Sequence, residues 1–188
     1  AYLMVKLTYD VDVYPNGIPN ITAVIEGKKI LNVSTSATAY SNNPANVIYN
    51  YLTSSDGLGA STTEIDLASF QQAYADCNDS ISITGGTQSR YTCNGLILLN
   101  KKPVEVIEDL VSSCAGTLTY QQGKFKLKVG KATSSTRTLT DDDLAGDLRI
   151  ATRPKRSQLY NKVKGTFVDA DTNFSVKEFN SQESSDYQ

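Results

Sequence analysis

Carboxylates and thiols are the side chains with chemistry to offer in this 188-residue chain, which contains no histidine. The missing imidazole removes Ser-His-Asp and Cys-His nucleophilic catalysis and the commonest zinc ligand sets. Asp141, Asp142 and Asp143 stand side by side. Adjacent positions can bring at most two of them to one point, and an acid pair acting on a glycosidic bond must face across a cleft. The simpler reading is an acidic first helical turn, where carboxylates meet the positive end of the helix dipole. Two stretches imitate calcium loops. DADTNF, from Asp169, starts correctly, but Phe174 replaces the turn glycine and Asn180 the closing glutamate. DVDVYPNG, from Asp10, fails at its fifth and sixth positions. Glycine-rich phosphate loops are absent. The expectation is a non-enzymatic chain with no catalytic residue, no metal site and no cofactor.

The thiols are Cys77, Cys93 and Cys114, none of them in a CxxC pair. Three cysteines are too few, and odd in number, for a secreted disulfide framework. Cys77 and Cys114 both fit apolar helix faces, where a thiol packs as a small hydrophobe. A Cys77–Cys93 bridge is the alternative. Four N-x-S/T sequons, starting at Asn20, Asn32, Asn78 and Asn173, match a pattern short enough to arise by chance.

Charge offers one more feature. Net charge is −2, so no global field attracts nucleic acid. Locally, Arg149, Arg153, Lys155, Arg156, Lys162 and Lys164 follow one another without an intervening acid. Beyond them come Asp169, Asp171, Glu178, Glu183 and Asp186, against Lys177 alone. This pattern is either a solvated face or one side of a contact with another subunit. Nucleic acid is the weaker partner, because no aromatic platform or recognition motif accompanies the basic residues. No apolar run approaches the roughly 20 residues of a membrane helix, and no signal peptide is visible. The chain opens with AYLMVKLTYD, without an initiator Met and inside an apolar–polar alternation. It therefore reads as a piece of something longer.

The elements that position these residues follow from periodicity and caps. Residues 1–33 read as β-structure with a turn at YPNGIPN, and residues 34–42 as a Ser/Thr/Asn loop. Asn43 caps a helix near 44–54 that Pro44 opens, with Val47, Ile48, Tyr51 and Leu52 on its apolar face. That helix ends in a glycine-rich turn and carries no catalytic group. Asp66 caps a second helix near 66–77, buried through Leu67, Phe70, Tyr74 and Cys77. NDSISITGGTQSR reads as a loop or irregular strand, and YTCNGLILLN as a strand with a turn at Asn94-Gly95. A third helix spans 103–115, its stripe Val104, Ile107, Leu110, Val111 and Cys114, with Gly116 just past its end. TLTYQQGKFKLKVG reads as a hairpin at 117–129. Its lysines, Lys124, Lys126 and Lys128, guard a solvated edge or meet a partner. LTDDDLAGDLRI suggests a helical turn capped by Thr140 or Asp141, then a strand. A last hairpin turns near Asp169–Asn173. Strands, then helices, then strands predict an α+β fold of short helices packed on β-hairpins. No internal repeat is visible.

Taken in order, six segments resemble the tip attachment protein J family of lambda-like tailed phages. They are GIPNITAVIEGKKI, NNPANVIYNYLTSSDGLG, IDLASFQQAYADCND, YTCNGLILLNKKPVEVIEDLVSSCAGTLTYQQGKFKL, LTDDDLAGDLRI and LYNKVKGTFVD. The resemblance runs from about Gly17 to Asp169 and concerns the family's central tail-hub region. It implies a trimeric hub at the far end of the tail tube. Two similar β-barrel hub domains per subunit would match a sixfold tube to a threefold tip, with an α+β domain between them. On that basis residues 1–33 end a first hub β-domain, 34–150 form the central α+β domain and 151–188 start a second hub β-domain. The implied partners are two further copies and other tail-tip and tail-tube proteins, with no membrane and no specific nucleic acid. The implied place is the virion tail tip, after assembly in the bacterial host cytoplasm. The segment between Leu31 and Asn42 is Ser/Thr-rich where the resemblance implies a more charged turn. Two rival functions are a cell-wall-degrading module and a receptor- or glycan-binding module. Lysis of purified peptidoglycan would favour the first, and a saturable cell-surface ligand the second. The assembly reading accounts for helix 44–54 as scaffold, and makes Arg149, Arg153, Lys155, Arg156, Lys162 and Lys164 candidates for a subunit interface.

Overall fold

The computed structural model describes residues 3–8, 10–83, 85–146 and 159–184. It is a mixed α+β chain of three α-helices and five two-stranded antiparallel sheets, with no closed barrel among the described residues. The chain divides into two compact units, Glu26–Thr136 and a second made of Ala1–Ile25 with Arg137–Gln188.

In the first unit the order is β1 (Ile30–Leu31), β2 (Thr38–Ala39), α1 (Pro44–Thr53), α2 (Leu67–Asn78), β3 (Ser80–Ile83), β4 (Gly86–Ser89), α3 (Pro103–Ser112), β5 (Thr117–Gln121) and β6 (Lys124–Lys128). Helix α1 starts as its sequence requires. The Asn43 side chain accepts from the Ala45 N–H at 3.0 Å, and Pro44 occupies a position whose N–H would have no helical partner. Ile48, Tyr51 and Leu52 are buried as the periodicity predicts, and Val47 packs at the edge of the core. The glycine-rich turn after α1 closes the helix end. Leu58 N–H reaches Tyr51 O at 3.0 Å and Ala60 N–H reaches Leu52 O at 2.7 Å, so two orphan carbonyls of the last turn are satisfied. Only glycine fits at 57, where a Cβ would stand 1.9 Å from the Tyr51 carbonyl oxygen.

Asp66 caps α2 by accepting from the Ser69 N–H at 3.2 Å. Its buried face is Phe70, Ala73 and Cys77, with Tyr74 partly buried, whereas Leu67 is exposed. Leu67 is the first helical residue, one turn before the core begins. Helix α3 keeps most of its expected face, with Cys114 fully buried, and departs from it at its start. Val106 and Leu110 are buried, Ile107 and Val111 flank them, and Val104 is 64% exposed. At 3.6 residues per turn Val104 points about 120° away from Leu110, and Val106 only about 40° away. The left-handed residue after α3 is Ala115, with φ 47°, rather than Gly116.

β5 and β6 form the expected hairpin, with Tyr120 opposite Phe125 and Leu118 opposite Leu127. Gln122 and Gly123 form the two-residue turn, both with positive φ, which matches the twist of a hairpin. The Tyr120 and Phe125 rings meet at 4.7 Å between centroids. Leu127 and Val129 face the core with Ile48, Leu52, Phe70, Ala73, Cys77, Val106, Leu110 and Cys114. Helix α1 packs on α2 and α3, and α2 on β6. The Ser69 hydroxyl accepts from the Leu127 N–H at 3.2 Å, and Asp66 N–H donates to Phe125 O at 2.9 Å. These bonds dock the start of α2 on the hairpin.

Two expectations exchange places in this unit. NDSISITGGTQSR, read as a loop or irregular strand, supplies the hairpin β3–β4, with Gly85 at φ 95°. YTCNGLILLN contains no strand. Its start is tied by side contacts instead: Tyr91 N–H to Cys77 O, Cys93 N–H to Asn42 O and the Tyr91 hydroxyl to Gly130 O.

In the second unit the turn at Tyr14–Gly17 is present, closed by Gly17 N–H on Tyr14 O at 3.1 Å. No strand occurs among the described residues of 3–29, contrary to the β-reading of 1–33; the first strand is β1. Alternation specifies a strand only where another backbone supplies the ladder. Asp141–Asp143 form a short 3-10 turn capped by Thr140, as expected. The strand expected to follow it lies outside the described residues. β7 (Lys162–Val163) pairs with β10 (Gln182–Glu183), and β8 (Thr166–Asp169) with β9 (Ser175–Glu178) around the expected turn.

Candidate functional site

Of the six basic residues proposed as an interface, Lys162 and Lys164 lie among the described residues. Arg149, Arg153, Lys155 and Arg156 lie outside them. Lys162 stands opposite Glu183 in the β7–β10 ladder and forms an ion pair with it. Lys177 on β9 pairs with Asp169 at the end of β8 at 2.6 Å. The Lys177 ammonium, and after it the Asp171 N–H, holds the Asp169 carboxyl below the usual carboxylate range. Two acids that follow the basic run are therefore matched by lysines of their own unit. Lys164 is exposed.

The acidic motifs resolve into local structure. Asp169 caps the short turn after β8 by accepting from the Asp171 N–H at 3.0 Å, so its carboxylate is engaged twice within the hairpin. Asp143 accepts from the Thr140 N–H at 3.0 Å and pairs with Arg137. Among the described residues no group of three His, Cys, Asp or Glu side chains is placed to hold a metal ion.

A denser ionic cluster sits in the first unit, at the end of α2. Lys131 reaches Asp76 at 2.8 Å and Asp79 at 2.7 Å, and Arg90 reaches Asp79 at 3.4 Å. Hydrogen bonding to Lys131 lowers the Asp79 carboxyl, and hydrogen bonding to Asp76, then Asp79, raises the Lys131 ammonium. Lys131 follows β6, so the cluster fastens the end of α2 to the strand's exit. A shallow polar depression lies nearby, lined by Asn32, Tyr40, Ser41, Asn42, Asn43, Tyr74 and Asn78 among others. Its side chains largely serve the fold. Asn32 Nδ2 donates to the Tyr74 hydroxyl, Asn43 Nδ2 donates to Tyr74 O, and the Tyr40 hydroxyl donates to Asn94 Oδ1.

Two surfaces of the first unit remain open. Lys124 and Lys128 of the lysine row are exposed, while Lys126 pairs with Asp66 at 3.8 Å. On the segment leading into α3, Leu96, Leu98 and Leu99 are all exposed, as is Val104. Sequence reasoning assigned these leucines to a strand. The signal against it was present: four apolar residues sit between Asn94-Gly95 and Asn100-Lys101-Lys102-Pro103, with turn formers on both sides.

No family model matches the chain. A curated relative does: the chain is similar to the Tip attachment protein J of Escherichia phage SECphi27, 26% identical over 187 residues. The match covers 88% of this chain but only 16% of the relative. The distant relationship read from the six segments is thus borne out.

Proposed function

We propose that this chain is a structural segment of a phage tail tip, acting through the faces it presents to neighbouring subunits. The similarity to a tip attachment protein across 88% of the chain carries this reading. Two features support it. The acids singled out at 141–143 and 169 that bear a resolved contact are bound up in caps and ion pairs. The exposed leucines before α3 are the kind of apolar surface that subunit contacts cover.

Within that reading the chain belongs to a trimeric hub joining the tail tube to the host-attachment apparatus, with pieces of hub β-domains flanking the central α+β part. The seam between copies uses Arg149, Arg153, Lys155, Arg156 and Lys164 against acids of the neighbouring copy, with Lys162 already paired to Glu183 in its own chain. A closed ring requires two different, complementary patches on every subunit. Deleting the codons for residues 26–136 from a phage or prophage that encodes the chain should leave heads without completed tails in electron micrographs. Normal tails would refute the structural role. In the full protein, replacing Arg153, Lys155 and Arg156 with Glu should block trimer formation through like-charge contact. An intact trimer by sedimentation would remove these residues from the seam and leave the structural role standing.

A further inference from the structure

The β5–β6 hairpin has one edge in use and one open. On β6, Phe125 O accepts from the Asp66 N–H at 2.9 Å and the Leu127 N–H donates to Ser69 Oγ at 3.2 Å, so the start of α2 holds the outer side of that strand. Antiparallel pairing alternates. The residues opposite these two, Tyr120 and Leu118, therefore also aim their N–H and C=O away from the ladder, on the far side of β5. Among the described residues nothing bonds those groups. β5 reads TLTYQ, with no charge or proline to blunt its edge. The lysines of the row stand on β6, whose edge is already covered. The Tyr120 side chain beside the open edge is 56% exposed.

The same unit holds a segment with the converse deficiency. Residues 91–98 form no helix, turn or strand. From Gly95 to Leu98 the backbone N–H groups have no partner among the described residues. Leu96 is 85% exposed and Leu98 48%, while Ile97 between them packs on the core of its own chain. We propose that Gly95–Leu98 of one copy pairs, as an added strand, with the open edge of β5 in a neighbouring copy. Main-chain bonds hold such an addition, and alternate side chains give it specificity. Leu96 and Leu98 share one side of the added strand. There they lie against Leu118 and Tyr120, which share a face of the hairpin with Phe125 and Leu127. Neither Gly95–Leu98 nor β5 carries a charged residue, so the contact buries no charge. The two patches differ, so each copy offers one to a neighbour and receives the other, as a closed ring requires. This contact rests on the tail-tip reading and names one of the faces through which that reading has the chain act.

The test uses the full protein that carries this chain. Two variants are co-expressed under different affinity tags, one with Tyr120→Cys and the other with Leu98→Cys, both with Cys93→Ser. A short bismaleimide is applied to the purified assembly, and linked peptides are mapped. The expected product joins position 120 of one copy to position 98 of another. Each variant carries one of the added thiols, so this link cannot form within a chain. Hydrogen exchange on the unmodified protein supplies a second measurement. The peptide spanning 117–121 should exchange more slowly in the assembled protein than in the dilute 188-residue chain, because the Leu118 and Tyr120 amides become bonded. An assembled protein that lacks the 120–98 link and shows no added protection would overturn this contact and leave the tail-tip reading standing. A full protein that sediments as a monomer would overturn the contact together with the ring reading.

Discussion

At the scale of single residues, the first unit is held by a few polar side chains placed where apolar ones would not serve. Asn46 is fully buried on the core face of α1, where a helical wheel asks for a hydrophobe. Its Oδ1 accepts from the Val33 N–H at 3.0 Å and its Nδ2 donates to the Ser41 hydroxyl at 3.0 Å. One side chain thus fixes both the β1–β2 loop and the link from β2 to the helix. Asn46→Ala strands the buried Val33 N–H and should cost about 1–3 kcal/mol in denaturant titration. An unchanged midpoint would show that water reaches that amide. The Lys131 cluster gives a pH signature with two ends. The Asp79 carboxyl is lowered in the folded state, so its contribution is complete above the ordinary carboxylate range and is lost as pH falls through its folded value. The Lys131 ammonium is raised, so its contribution is complete below the ordinary ammonium range and is lost as pH rises through its folded value. The melting temperature of Lys131→Met should therefore lie below wild type at neutral pH, with the gap narrowing in strong acid and in strong alkali. Parallel curves across that range would show that the ion pairs add nothing to stability.

At the scale of elements, sequence signals succeeded where they were local. Asn43-Pro44, Asp66 and Pro103 open the three helices, and Gln122-Gly123 turns the β5–β6 hairpin, because caps and tight turns are satisfied by the residues beside them. What failed depended on distant partners. Among the described residues the alternation of 1–33 finds no ladder before Ile30, and the apolar run Leu96–Leu99 finds no sheet. On α3 the stripe held at Leu110 and Cys114, with Ile107 and Val111 beside them, but Val104 was included and Val106 missed, because periodicity alone does not choose the edge of the buried face. The limits of the α3 stripe can be checked by mutation. Leu110→Ala should cost about 2–5 kcal/mol, while Val104→Ala should stay within roughly 0.5 kcal/mol of wild type. Equal losses would mean that the helix presents the other face to the core.

At the scale of the whole molecule, the first unit has a continuous core, and the described residues of the second include short hairpins with much apolar surface open. Val168 and Val176, paired across β8–β9, are 59% and 68% exposed. Such surface suits a part that is completed by neighbours, as the tail-tip reading requires. The proposed interface residues are the least legible feature of the sequence, because a basic run looks the same whether it faces water or another subunit. Within the second unit, Lys162–Glu183 and Lys177–Asp169 show how readily such charges pair inside one chain. The reading therefore rests on where the chain resides in a particle. Antibodies raised against residues 26–136 and imaged by electron microscopy on virions of a phage encoding the chain test this most directly. The account predicts label at the distal end of the tail and nowhere else. Label on the head or along the tube, or virions that carry no label while the antibody recognises the denatured virion protein elsewhere in the lysate, would contradict it.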